Sequence, residues 1–293
     1  MVLVLLVLSL ALFFLLQLSG DPIALMLPSD STPEEVENFR RAWNLDRPMP
    51  EQYLGFLRGL ARGDLGKSLK YDAPALPLAL ERFPATALLG FSAMAFAVFL
   101  AIPVGIFSAV KRGSGWDRLA TGVLLFGQSM PVFWLGIMLM MIFAVQLRLL
   151  PPSGSGTLKH LILPAVSLGF YSSARIARLT RTSMLETLGQ NYIVTARAKG
   201  LREWRVVCSH AFRNALIPVV TMTGIQLAAL LGGAVLTETV FSWPGVGRLI
   251  VQAVYNRDYP LVQAGVFVVA SMFILVNLIV DILYTILDPR ISH

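Results

Sequence analysis

Residues 192–218 read Tyr-Ile-Val-Thr-Ala-Arg-Ala-Lys-Gly-Leu-Arg-Glu-Trp-Arg-Val-Val-Cys-Ser-His-Ala-Phe-Arg-Asn-Ala-Leu-Ile-Pro. This stretch contains two helical patterns with a helix stop between them. The spacing predicts a short helix over 191–199 that ends at Gly200, because glycine lacks a Cβ and readily adopts the left-handed turn that terminates helices. A second helix is predicted from 201 to about 213, leading into an apolar run. We call residues 191–213 the elbow.

The corner of the elbow combines small side chains with positive charge. Ala196 and Ala198 allow another backbone to approach closely, and basic residues surround them: Arg197, Lys199, Arg202 and Arg205. This combination favours insertion into a groove of another protein. A helix lying on anionic lipid is the alternative. It would account for the charges but not for the small residues or the helix stop.

Outward from the elbow, the composition is that of a membrane protein. Of the 293 residues 56% are hydrophobic and 14% are charged, and the mean hydropathy is +0.69. An ordinary soluble domain has roughly a quarter of its residues charged, so too few polar side chains remain to coat a soluble globule. The low charge excludes a disordered chain. One cysteine excludes a disulfide scaffold.

Six apolar segments predict transmembrane helices, which bond their own backbone groups inside lipid. The segments are 1–18, 84–110, 119–145, 160–178, 214–236 and 261–287. The predicted fold class is therefore all-α, a polytopic membrane protein. The predicted divisions are a first transmembrane helix at 1–18, an external insert at 19–83, and a five-helix core at 84–293 that carries a cytoplasmic loop at about 183–213.

The distribution of charge between the spans predicts the orientation. Residues 175–213 hold eight basic and two acidic side chains, a net +6, whereas residues 19–80 hold seven basic and nine acidic, a net −2. Basic loops stay in the cytoplasm. The elbow and both chain ends are therefore predicted to be cytoplasmic, and the insert external.

No basic residue precedes the first span, and Leu16-Gln17-Leu18-Ser19 fits a signal-peptide cleavage site poorly. We expect the first helix to remain uncleaved. A start lying upstream, which would supply the missing basic residues, is the alternative.

The external insert carries two helix signals. Ser-Thr-Pro-Glu-Glu at 31–35 places a hydroxyl cap, a proline and two acids at a helix start, predicting a helix to about Trp43. An amphipathic pattern predicts a second helix over 51–61. These short helices are expected to pack against neighbouring loops.

Polar residues inside two spans are candidates for the lining of a water-filled path. Gln128 and Ser129 interrupt the third span, and Gln226 lies in the fifth. Uncharged glutamines also bond neighbouring helices. Path lining and helix packing therefore both remain open for them.

The elbow resembles a known motif. Thr195-Ala196-Arg197-Ala198-Lys199-Gly200, followed by Leu216-Ile217-Pro218, is similar to the EAA loop (E-A-A-x-x-x-G, then I-x-L-P) in the permease subunits of ATP-binding-cassette (ABC) importers. Thr and Arg replace the Glu and second Ala of the general pattern, as in the T-A-R-A-K-G version of the dipeptide/oligopeptide/nickel branch. Asn44 departs from the Gly usual in that branch, which affects a local turn. Further segments resemble its B-type permease subunit: 20–22, 45–48, 52–53, 63–68, 238–249 and 277–290.

The resemblance implies a MetI-like fold, which is the fold of the transmembrane domain of type I importers. It also implies that the chain lies in the plasma (inner) membrane of a prokaryote and is surrounded by membrane lipid. It implies a second homologous permease subunit, two ATP-binding subunits that receive the coupling loops, and an extracytoplasmic solute-binding protein. ATP hydrolysis, with ATP and magnesium, would belong to the partners, so this chain is expected to be non-catalytic, without a cofactor or metal of its own. No nucleic acid is expected. The residues expected to transmit motion are Thr195, Ala196, Arg197, Ala198, Lys199 and Gly200.

Two other classes of function compete with this one. An ion-coupled secondary transporter typically shows paired broken helices and intramembrane charges. An intramembrane enzyme needs a nucleophile–base or metal set, and no His-Glu-x-x-His or Gly-x-Ser-x-Gly occurs. For the importer, relatives carry peptides, nickel chelates, glutathione and sugars. A short peptide is the default cargo, because no metal-binding cluster is evident.

Overall fold

The computed structural model describes residues 6–7, 9–14, 32–42 and 46–287, and every regular element within them is a helix. An isolated bridge between Lys67 and Pro74 is the one extended pairing in these ranges. The all-α prediction is confirmed. Of the predicted first span, residues 6–7 and 9–14 are described and helical; the rest of it, and the segments at 20–22 and 288–290, lie outside the described residues.

The helices are numbered here in chain order. They are α1 (Pro33–Ala42), α2 (Met49–Ala61), α3 (Ala75–Val110), α4 (Gly115–Ser129), α5 (Val132–Leu139, extended by a π-helical segment Met140–Gln146), α6 (Leu158–Leu188), α7 (Asn191–Ala198), α8 (Glu203–Arg205, extended by a π-helical segment Val206–Ala211), α9 (Phe212–Gly233), α10 (Val235–Val240), α11 (Val246–Tyr255) and α12 (Tyr259–Leu287).

Both predicted helices of the insert are present. At the start of α1 the Glu35 N–H donates to the Thr32 hydroxyl at 3.3 Å, and the Thr32 N–H donates to the Glu35 carboxylate at 2.8 Å. This reciprocal capping box satisfies two N–H groups that would otherwise have no partner. Helix α2 begins directly after Pro48.

Three continuous helical stretches in the described chain are long and apolar enough to cross a membrane: Ala75–Val110, Glu203–Gly233 and Tyr259–Val280. They contain most of the predicted second, fifth and sixth spans. The predicted fourth span lies within α6, which is longer than expected at 31 residues. Because α6 carries three arginines, it is more polar than these three stretches.

The predicted third span, 119–145, is not one straight helix. Helices α4 and α5 are bent by 106° at a break between them. Met130 has φ −83° and ψ 139°, an extended conformation. Pro131 follows it, and a proline disfavours helical geometry in the residue before it. The prediction of a continuous helix was therefore wrong at this position. The two parts count as a fourth crossing if they form one broken span.

The chain divides into two compact units. One unit comprises Met1–Thr86 and Pro244–Met272. Its core joins the insert to residues after the fifth span: Leu65, Ala75, Ala79, Val246, Leu249, Ala253, Leu261, Ala264 and Val268 are buried together. Segment 244–272 thus packs with residues of the insert.

The other unit comprises Ala87–Trp243 and Phe273–His293. Helix α6 lies at its centre and packs against α4, α5 and α9. Close approach depends on glycine: a Cβ added at Gly169 would overlap the backbone carbonyl of Ala93 in α3. The elbow belongs to this unit and directly follows α6.

Candidate functional site

The first arm of the elbow is helix α7, and it ends where the sequence predicted. The Lys199 N–H donates to the Thr195 carbonyl at 3.1 Å and the Gly200 N–H to the Arg197 carbonyl at 2.9 Å. Gly200 has φ +75°, in the left-handed region that glycine adopts without a Cβ penalty. The helix stop at Gly200 is therefore present.

The second arm continues directly into α9, as the helical pattern that leads into an apolar run predicted. Residues Glu203–Gly233 form one continuous stretch, through the π-helical segment and into α9. No glycine or proline lies between Glu203 and Ile217 to end it, and Pro218 is accommodated inside α9. A movement of the corner is thus connected to a membrane helix without an intervening loop.

The inner side of the elbow is buried in its own unit. Ile193 is fully buried, and Ala196 is 7% exposed. They pack in a cluster with α3, α6 and the second arm: Ala109, Met184, Val206, Val207, Ala211 and Ala215. Ala196 therefore contributes to the packing of the elbow on its own chain rather than to its outer surface.

The outer side of the elbow presents apolar and small groups. Val194 is 59% exposed, Trp204 is 65% exposed, and Ala198 is also exposed. Exposed apolar groups clustered on a basic loop are typical of a protein contact surface. Tyr192, 42% exposed, accepts a hydrogen bond from the Asn214 amide at 2.8 Å, which ties the two arms together.

An ion pair spans the corner. Arg197 donates to both carboxylate oxygens of Glu203, at 2.7 Å and 3.2 Å. The hydrogen bond to this carboxylate raises the pKa of Arg197 above its ordinary value. The side chains are 44% and 56% exposed, so the pair fixes geometry more than it stabilises the fold.

The polar candidates in the membrane helices all lie near α6 or at the helix break. Gln226 is 3% exposed; it donates to the Ser172 hydroxyl at 3.3 Å and accepts from Arg175 at 3.4 Å. Gln128 accepts from Arg178 at 3.1 Å. Ser129 is exposed at the end of α4 and donates to the Leu125 carbonyl at 3.0 Å. Both glutamines therefore bond a neighbouring helix.

A cleft of about 560 Å³ lies between α3, α4 and α6. Its polar lining includes Arg118, Arg178, Ser108 and an ion pair between Asp117 and Arg181. In that pair Arg181 donates to both oxygens of Asp117 at 2.8 Å, and Asp117 is 5% exposed. The cleft carries a net positive charge.

Among the described residues no group of three or more His, Cys, Asp or Glu side chains is arranged to hold a metal ion. Cys208 is a free, exposed thiol on the second arm.

Comparison with known proteins identifies the family. Residues 101–293 match the model of the binding-protein-dependent transport system inner membrane component, and residues 1–90 match the model of the N-terminal part of such components. The chain belongs to this permease family. The predicted resemblance is confirmed.

Named relatives of the permease cover nearly its whole length. The dipeptide transport system permease protein DppB of Escherichia coli strain K12 is 45% identical over 312 aligned positions, covering 96% of this chain and 92% of that protein. The di/tripeptide permease protein DppB of Pseudomonas aeruginosa is 43% identical, covering 94% and 90%. The glutathione permease protein GsiC of Pectobacterium atrosepticum is 44% identical, covering 99% and 94%.

Solved structures show the same fold. The permease matches a chain of the MetNI methionine ABC transporter in an inward-facing conformation with a TM-score of 0.63 at 20% identity, covering 72% of this chain and 96% of that one. A chain of an amino acid ABC transporter matches with a TM-score of 0.53 at 15% identity, covering 73% and 94%. The MetI-like fold of an ABC importer permease is therefore confirmed.

Sequence reasoning missed two residues of the permease, Arg175 and Arg178. Both were counted as cytoplasmic charges at the end of the fourth span, yet they bond the glutamines of two other helices. Their spacing of three, which places them on one helix face, and their position inside a helical pattern were the available signals.

Proposed function

We propose that this chain is the B-type permease subunit of an ATP-driven importer for short peptides. It would enclose a translocation path together with a second, related permease subunit. Two ATP-binding subunits would dock on the cytoplasmic side, and an extracytoplasmic binding protein would deliver cargo from outside. ATP, magnesium and hydrolysis would belong to the ATP-binding subunits.

The observation that carries the proposal is the two-sided construction of the elbow. Its inner side is anchored by Ile193 and Ala196 in a buried cluster. Its outer side exposes Val194, Ala198 and Trp204, and its second arm continues into α9. A rigid body with one anchored face and one free apolar face can pass the movement of a bound ATPase to a membrane helix.

Peptide cargo is supported by the relatives, because the named proteins of similar length and more than 40% identity transport dipeptides, tripeptides or glutathione. Each of these molecules is short, contains peptide bonds and carries at least one carboxylate. A nickel chelate or another solute is the alternative. Within the described residues the permease has no cluster that would hold a metal ion.

The location we propose is the plasma membrane of a prokaryote, with both chain ends and the elbow in the cytoplasm. Without Arg175 and Arg178, which bond glutamines of other helices, residues 179–213 hold six basic and two acidic side chains, and this net +4 supports the orientation. The insert, with its net −2, would then lie on the external side.

The test of coupling is Ala198→Glu in the complete transporter reconstituted in vesicles. Ala198 is exposed at the end of α7, so a glutamate there leaves the fold intact but introduces bulk and charge into the docking surface. We expect uptake of radiolabelled dialanine to fall at least tenfold, whereas the amount of permease in the membrane stays unchanged. Gly200→Pro should have the same effect, because proline fixes φ near −65° where this residue has +75°.

The matched control is Ala61→Glu, since Ala61 is likewise exposed at the end of a helix, in the external insert. It should transport at the wild-type rate. Full uptake by Ala198→Glu and Gly200→Pro together would refute the coupling role of the elbow.

A further inference from the structure

We infer that Arg175 and Arg178 form a cationic binding site in the translocation path for a carboxylate group of the cargo. The inference rests on the proposed function, because it requires that peptides pass along this chain. It assigns the ligand chemistry of one position in the path.

The two arginines lie deep along a long helix. Arg175 follows the start of α6 at Leu158 by about 26 Å and precedes its end at Leu188 by about 20 Å, at 1.5 Å per residue. The partner of Arg175 is Gln226, within a stretch apolar enough to cross the membrane. Charged groups that contact a membrane-spanning stretch are costly, and they commonly mark a substrate or ion pathway.

Neutral groups hold both guanidinium groups in place. Arg175 donates to the Tyr171 hydroxyl at 2.9 Å and to Gln226 at 3.4 Å, and it lies over the Tyr171 ring with 5.1 Å to the ring centroid. Arg178 donates to Gln128 at 3.1 Å. These contacts fix the positions of the arginines but neutralise neither charge.

The nearest acid on the adjoining helix is already engaged. Asp117 is bound through both oxygens by Arg181, one turn further along α6. Within the described chain, no carboxylate forms an ion pair with Arg175 or Arg178. The two charges therefore remain available for an external anion.

The two arginines also have the N–H donors and the surrounding space needed to bind an anion. Both are exposed, and Arg178 uses a single nitrogen in the bond to Gln128. A guanidinium group has five N–H donors arranged to match the two oxygens of a carboxylate. Arg178 lines the cleft of about 560 Å³, a volume within the usual range for small-ligand sites.

A peptide carboxylate is the anion that this geometry favours. Anionic lipid headgroups lie at the membrane surface, whereas Arg175 bonds Gln226, which lies near the middle of the predicted fifth span at 214–236. Arg178 also bonds Gln128, beside the break between α4 and α5. A transport path has to provide polar groups at such a depth.

The test compares Arg175→Gln/Arg178→Gln with the wild type in the reconstituted transporter, using dialanine and alanyl-alaninamide as probes. Each probe is supplied above its dissociation constant for the binding protein, so that delivery is saturated. We expect the ratio of dialanine uptake to amide uptake to fall at least tenfold in the double variant. ATP hydrolysis stimulated by the loaded binding protein should stay within twofold of the wild-type rate.

Two controls separate charge from structure. Arg175→Lys/Arg178→Lys keeps the charges and should restore the ratio to within about threefold of the wild type. Arg58→Gln/Arg62→Gln removes two exposed arginines of the insert and should leave the ratio unchanged.

An unchanged ratio in Arg175→Gln/Arg178→Gln would overturn the inference, whether uptake of both probes is preserved or falls equally. A wild-type complex that accumulates neither probe would instead overturn the proposed peptide function, and the inference with it.

Discussion

At the scale of single residues, Asp258 shows what Ser68 does in the insert, a role that the sequence patterns did not indicate. Asp258 is fully buried and accepts hydrogen bonds from the Ser68 hydroxyl, from the Lys70 N–H at 3.2 Å and from the Leu261 N–H at 3.3 Å. One carboxylate thus caps the start of α12 and holds the loop that precedes α3. Ser68 is needed at this position because its hydroxyl is the donor.

We predict that Asp258→Ala destabilises the permease by about 2 kcal/mol, because it leaves buried donors without acceptors. In detergent this should lower the melting temperature by roughly 5 °C. The matched control is Lys70→Ala: Lys70 belongs to the same loop and keeps its N–H for Asp258, but its side chain is exposed, so the melting temperature should change by less than about 1 °C. Equal melting temperatures for the two variants would contradict the role of Asp258.

Single residues also show where sequence reasoning reached its limit. The turn at Gly200 and the cap at Thr32 were predictable, because each depends on its immediate neighbours in the chain. The bonds from Arg175 to Gln226 and from Arg178 to Gln128 join residues about 50 positions apart. Their partners depend on tertiary packing, which no local pattern contains.

At the scale of helices, the effect of each proline was the feature hardest to predict from the sequence. Pro131 ends a helix, whereas Pro164 and Pro218 lie inside α6 and α9. A proline inside a membrane helix is tolerated when neighbouring groups satisfy the freed backbone, and a sequence does not state which neighbours are present. The break in the third span was therefore not predicted, and α6 extends at both ends beyond its predicted span of 160–178.

Packing between α3 and α6 yields a prediction at this scale. Gly169 faces the backbone carbonyl of Ala93, which cannot move aside as a flexible side chain could. We expect Gly169→Ala to destabilise the permease by about 2 kcal/mol through overpacking, read as a lower melting temperature in detergent. Gly55→Ala is the control, since nothing lies within 4 Å of a Cβ added there in α2. That variant should be as stable as the wild type or slightly more stable, because alanine favours the helix.

At the scale of the whole molecule, orientation is the property that charge predicts best. Insertion depends on the number of basic residues in the loops, which is read directly from the sequence. The fold follows from the apolar segments and from the family to which the chain belongs. The two compact units were not predictable, because the packing of 244–272 with the insert brings together segments far apart in the chain.

Orientation can be tested with cysteine labelling. The permease has one cysteine, Cys208, so Cys208→Ser gives a background on which Arg62→Cys and Arg112→Cys are each introduced; both positions are exposed. In intact spheroplasts a membrane-impermeant maleimide should label Arg62→Cys, because we propose that the insert is external. It should label Arg112→Cys only after permeabilisation, because the proposed orientation places the loop between α3 and α4, with Lys111, Arg112 and Arg118, in the cytoplasm. A permeant maleimide, which should label both variants, controls for reactivity.

Labelling of Arg112→Cys in intact spheroplasts would reverse the orientation. If α4–α5 is one span and α6 another, the elbow lies two membrane crossings after Arg112 and therefore on the same side. That result would place the elbow outside as well, where no ATPase could dock.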